Sequence, residues 1–100
     1  MIVLKAEKQP WERKDYDIDY SEWLPTGDTI ASATAAYVVV GTTADTELTL
    51  DGTVTVTDTT AKVWAEDGTD GKTYLITVRA TTTGGRKIEA EISLKVKEID

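Results

Sequence analysis

The chain contains no cysteine, no histidine and no phenylalanine, and it has two prolines and one methionine. Without cysteine there is no disulfide framework, and without Cys or His there is no zinc site of the usual kind. The same absences remove thiol nucleophiles and imidazole bases. No apolar run reaches the length that spans a membrane as a helix. Nor does the start build a signal peptide, because Ile2, Val3 and Leu4 are followed at once by Lys5. The expectation is a chain made in the cytoplasm, with no membrane partner. Lacking Phe, the core must rest on Val, Ile, Leu, three Trp and four Tyr. That mixture, with frequent threonine, favours strands.

One hundred residues, 40% hydrophobic and 29% charged, describe one folded domain. The net charge of −7 argues against nucleic acid, whose phosphates are bound through Lys and Arg. Residues 1–14 run against this balance, with Lys5, Lys8, Arg13 and Lys14 against Glu7 and Glu12. They read as an extended, mildly basic N-terminal arm on an acidic body, residues 15–100. Opposite charges of this kind steer docking, although solubility alone is the simpler account of them. Trp11 stands out in the arm. Either it folds back onto its own domain or it anchors an interface, where Trp is enriched.

From Tyr74 the apolar residues fall at every second position: Tyr74, Ile76, Val78, Ala80. After the glycine pair Gly84-Gly85 they resume as Ile88, Ala90, Ile92, Leu94 and Val96. A period of two predicts a long hairpin over residues 71–97 with one buried face. Asp15 to Ser21 alternates as well, with Tyr16, Ile18 and Tyr20 opposite Asp15, Asp17 and Asp19. Those aspartates do not open an EF-hand, since Tyr20 and Thr26 hold the positions that need Gly and Glu. Thr29 to Val40 starts with alternation (Ile30, Ser32, Thr34) and ends in Tyr37-Val38-Val39-Val40. That ending implies either a strand covered on both sides or a kink that changes its facing. Glu47 to Thr57 reads as a second hairpin, and only a three-residue loop puts Leu48, Leu50, Val54 and Val56 on one face. Ala61 to Ala65 adds a short strand that presents Trp64 opposite Val63. The count is about seven short antiparallel strands and no helix, which predicts a two-layer β-sandwich.

The loop Glu66, Asp67, Gly68, Thr69, Asp70, Gly71 offers carboxylates for a hard cation, but such turns are routinely rich in Asp and Gly without one. Glu66 with Asp70 also makes a carboxylate pair. General acid–base work needs a cleft as well, and a two-layer domain of this size rarely has one. No cofactor and no enzyme is expected.

Several blocks look familiar together. Tyr16-Asp17-Ile18-Asp19-Tyr20-Ser21-Glu22-Trp23-Leu24, followed by Gly27-Asp28-Thr29-Ile30, resembles the opening of the phage fibre–tail adaptor family. Val63-Trp64, the Gly68-Thr69-Asp70-Gly71 loop, Tyr74, and Thr81 to Arg86 resemble a later part of it. The central segment Ala31 to Asp45 departs, with Tyr37 and a valine run in place of a Trp and a Gly-Leu turn. The resemblance implies an immunoglobulin-like sandwich, and Tyr74 sits where such folds often place a corner tyrosine. It further implies a non-enzymatic virion protein that docks other tail or fibre proteins, or further copies of itself. The protein-interaction candidates are then Trp11, Arg13, Glu66, Asp67, Asp70 and Arg86. A cell-surface or carbohydrate-binding module, stacking sugars on Trp64, is the alternative.

Overall fold

A computed structural model describes residues 2–41 and 46–98. Eight strands are present among these residues: β1 (Ile2–Lys8), β2 (Arg13–Asp19), β3 (Ile30–Val39), β4 (Leu48–Leu50), β5 (Thr55–Val56), β6 (Thr60–Asp67), β7 (Thr73–Thr82) and β8 (Lys87–Val96). A single 3₁₀ turn, Ser21–Trp23, interrupts them, and no α-helix occurs among the described residues. The strands make two sheets, one ordered β1-β8-β7-β3 and the other β2-β6-β4, with β5 also on β6. The molecule is an all-β sandwich.

Between the sheets lies a core whose largest fully buried side chains are Tyr20, Tyr74, Ile18, Ile76, Ile92, Leu94, Val63, Val78 and Val96. The long hairpin forms as its alternation predicts. Ile76 faces Ile92, Tyr74 faces Leu94 and Val78 faces Ala90, each pair pointing into the core. Each aliphatic side chain removed from water contributes about 1.5–3 kcal/mol, so a register slip of one residue would forfeit the whole row. The buried hydroxyl of Tyr20 donates to the Val78 carbonyl at 3.2 Å and ties the sheets together. The Tyr74 hydroxyl accepts from the Thr69 amide at 2.8 Å.

Three segments differ in detail from expectation. β1 pairs parallel with β8 from Ile2↔Ala90 to Lys8↔Val96, so the segment expected as an arm carries a full sheet strand. In β3 a register shift between Ile30 and Ser32 swaps the faces. Ala33, Ala35, Tyr37 and Val39 then turn inward, while Ser32, Thr34, Ala36 and Val38 turn out. Of the two accounts of that segment, the kink is the one the backbone adopts, because one extra residue inverts every later side chain.

The second hairpin is a correction. β4 and β5 both pair antiparallel with β6, at Leu50↔Ala65 and Thr55↔Lys62, and not with each other. They form one interrupted edge. The Asp51 amide still donates to the Trp64 carbonyl at 3.2 Å, and the chain then bends outward at Gly52 and Thr53 before it rejoins β6. Two extra residues, an even number, preserve the facing. Leu48, Leu50, Val54 and Val56 therefore still share the core side.

Candidate docking surfaces at the two ends of the sandwich

The strands run along the long axis of a molecule measuring 46 × 23 × 21 Å, so its connections gather at two opposite ends. One end holds the β1–β2 turn, the β6–β7 loop and the residues after β8. Five of the six sequence-predicted candidates, Trp11, Arg13, Glu66, Asp67 and Asp70, are brought to this end. Arg86 is at the other.

The β1–β2 turn is braced reciprocally. The Gln9 amide donates to Glu12 Oε1 at 2.7 Å, and the Glu12 amide donates to the Gln9 carbonyl at 3.1 Å. Beneath the turn is Lys8, only 2% exposed. Its ammonium donates to the carbonyls of Gln9 at 2.7 Å and Pro10 at 3.4 Å, and to that of Asp67. Burial pushes the Lys8 pKa below its ordinary value, against the nearby carboxylates of Asp67 and Glu12. The ammonium thus joins the β1–β2 turn to the end of β6. Sequence reasoning missed it, although a signal was there: Ile2, Leu4, Ala6 and Lys8 continue one period-two face.

At the apex of this braced turn Trp11 is 90% exposed. It does not fold back onto the sandwich. Arg13, two residues on, makes a two-pronged contact with Asp51 at 2.9 and 2.8 Å and lies 3.7 Å from Glu66. Hydrogen bonding to Asp51 holds the Arg13 pKa above its usual value and that of Asp51 below. The guanidinium also sits 4.7 Å over the Trp64 ring. One face of that ring is thereby covered by Arg13.

The acidic loop is held by backbone and packing. Asp67 takes a left-handed conformation at φ 64° and Gly68 follows at φ 106°. A Cβ on Gly68 would lie 2.8 Å from Val96 Cγ2, so glycine is required for close approach as well as for conformation. Asp70 Oδ1 accepts from the Glu98 amide at 2.9 Å. Among the described residues, no group of three or more acidic side chains converges as a metal set. On β2, Asp15 pairs with Lys62 at 3.3 Å and Asp19 Oδ1 accepts from the Ser21 amide at 2.9 Å.

At the opposite end, Asp28 gathers residues more than fifty positions away. Its carboxylate accepts from the amides of Thr29 at 3.0 Å and Gly84 at 2.9 Å, and from Arg86 Nη1 at 3.1 Å. Hydrogen bonding from the Thr82 hydroxyl, then from these amides and Arg86, holds its pKa below the ordinary value against the cost of burial. The Thr29 and Thr83 hydroxyls meet at 2.8 Å, and the Thr83 amide donates to the Thr29 carbonyl at 2.8 Å. Arg86 thus clamps the β7–β8 turn to the start of β3. Close by in sequence, Trp23 on the 3₁₀ turn is 44% exposed. The blocks Gly27-Asp28-Thr29-Ile30 and Thr81 to Arg86, far apart in the chain, are one bonded unit here.

A search of curated proteins finds no match to the chain. A family model described as podophage GP4 fiber-tail adaptor protein gp77 matches residues 8–95. That span takes in both ends of the sandwich, the Lys8 brace and the Asp28–Arg86 clamp. The chain belongs to the Gp77 family of podophage fiber-tail adaptor proteins.

Proposed function

We propose that this protein is a non-enzymatic structural component of a phage virion, and that it works by docking other tail or fibre proteins. Family membership supports the adaptor role and the virion location. The observation that carries the docking mechanism is Trp11: a large aromatic side chain, 90% exposed, on a turn already ordered by Lys8 and Glu12. Such a residue adds contact area at little further entropic cost, because its backbone is fixed before the partner arrives. Around it Arg13, Glu66, Asp67 and Asp70 supply the polar rim that surrounds interface anchors. Residues 1–14 then divide the work, β1 holding the sheet and the turn presenting the anchor.

The sandwich that carries this turn is read as immunoglobulin-like. Sheets ordered β2-β6-β4 and β8-β7-β3 follow the B-E-D and G-F-C order of that fold, and the Tyr74–Thr69 bond has the form of its tyrosine corner. Trp11→Ala tests the docking role better than removal of residues 1–12, which would also strip β1 from β8. Incorporation into particles should fall by roughly 30-fold, the effect of losing an anchor worth about 2 kcal/mol. The folding transition should not move. Normal incorporation of Trp11→Ala would refute the mechanism.

A further inference from the structure

β3 closes one edge of the four-stranded sheet, and beyond Ile30, whose amide donates to the Asp58 carbonyl at 2.9 Å, no described strand pairs with its other side. The Val40 amide donates to the Thr73 carbonyl at 2.9 Å, with Val38↔Leu75, Ala36↔Thr77 and Thr34↔Arg79 in register behind it. Backbone bonding alternates along an antiparallel strand. The even positions therefore bond to β7, and the backbone groups of Ala33, Ala35 and Val39 point to the open side.

Other edges of this molecule are guarded in the ways that natural sheets use. β1 carries Lys5 and Glu7, and β2 carries Arg13, Lys14, Asp15, Asp17 and Asp19. β4 and β5 are three and two residues long. β3 has ten residues without a charge or a proline, and its bulge lies at the very start. The sequence has no charged residue from Thr29 to Ala44. On the outer face Ala36 is exposed, and Val38 and Val40 are 65% and 52% exposed.

We propose that β3 pairs antiparallel with β3 of a second copy of this chain, across a two-fold axis, joining two four-stranded sheets into one. Self-complementarity selects the second copy, and charge selects where it docks. Two chains of net charge −7 repel over most of their surfaces, and contacts through β1 or β2 would oppose charged side chains. β3 against β3 sets neutral residues against neutral ones. The two-fold also merges two stripes of Ala36, Val38 and Val40 into a shared apolar patch, as a self-complementary interface requires. A ten-residue strand extends about 33 Å. Its edge alone buries less than the roughly 800 Å² per partner of a tight complex, so the dimer is a weak one. The proposal does not depend on the adaptor reading.

Sedimentation of the full chain from micromolar to millimolar concentration tests it. The mass should rise from 10.9 kDa toward twice that value. Ala36→Lys, or Val38→Lys if the first is poorly folded, should weaken the dimer about tenfold or more by opposing like charges. The melting temperature at monomer concentrations should hold. Amide exchange at Ala33, Ala35 and Val39 should slow as wild-type concentration rises. A wild-type chain still monomeric at millimolar concentration would overturn the proposal, as would a dimer that tolerates both lysines. Protection of these amides only when a different protein is added would also overturn it, by showing a foreign strand at the edge.

Discussion

Replacing Gly68 with alanine probes how the β6–β7 loop is held. Two costs are separable. First, the residue sits at φ 106°, a region nearly closed to side chains, at a cost of about 1–3 kcal/mol. Second, the new Cβ would lie 2.8 and 3.4 Å from the two γ-carbons of Val96, and 3.5 Å from Leu48 Cδ1. Val96 is fully buried and cannot swing aside, so overpacking adds about 1–3 kcal/mol. Together they make about 2–6 kcal/mol, a large share of the roughly 5–15 kcal/mol that stabilises a domain. Gly27→Ala supplies the control. Gly27 also has positive φ, at 87°, but a Cβ there would meet nothing within 4 Å, so it reports conformational strain alone. Urea unfolding followed by tryptophan fluorescence gives both values, provided the slope with denaturant is unchanged. Gly68→Ala should also lower the melting temperature by about 10 °C or more. If it proves no more destabilising than Gly27→Ala, the packing argument at Val96 is wrong.

Tyr74→Phe removes the acceptor of the Thr69 amide while leaving the ring. It should cost about 1 kcal/mol in urea unfolding, and an unchanged midpoint would deny the Thr69–Tyr74 bond a structural role. Asp28 carries a pH prediction. Its folded pKa is depressed, so its stabilisation is fully present above the unfolded value of about 3.9 and is lost as pH falls through the folded one. Asp28→Asn should therefore be less stable than wild type at neutral pH, with the gap closing toward pH ~2. An equal gap at both pH values would refute the clamp as an electrostatic device.

The long hairpin was fully legible in the sequence because its information is local: nine apolar residues at period two state which face is buried. The facing of Leu48, Leu50, Val54 and Val56 was legible for the same reason. Their partner was not. A three-residue hairpin and two collinear segments on β6 satisfy the same parity, and the choice between them depends on where β6 lies. In β3 the ambiguity was real, since Ile30 and Val39 have opposite parity and both are buried. Of the candidate site, Trp11 stood out by composition, while Arg13 and Arg86 were named without their partners. Asp51 and Asp28 lie far from them in the chain, and no local pattern encodes that pairing. Lys8 was hidden by a rule that usually holds: charged residues face water unless something compensates them. Here three backbone carbonyls do so.

The parallel pairing of β1 with β8 bears on the order in which the molecule assembles. From Ile2↔Ala90 to Lys8↔Val96, the first described strand finds its sheet partner in the last. During synthesis β1 leaves the ribosome long before β8 exists, so this pairing cannot form until most of the chain has been made. Contacts of such long sequence separation are slow to close. The Lys8 ammonium, bonded to the Asp67 carbonyl, fastens the end of that same strand to β6 in the other sheet.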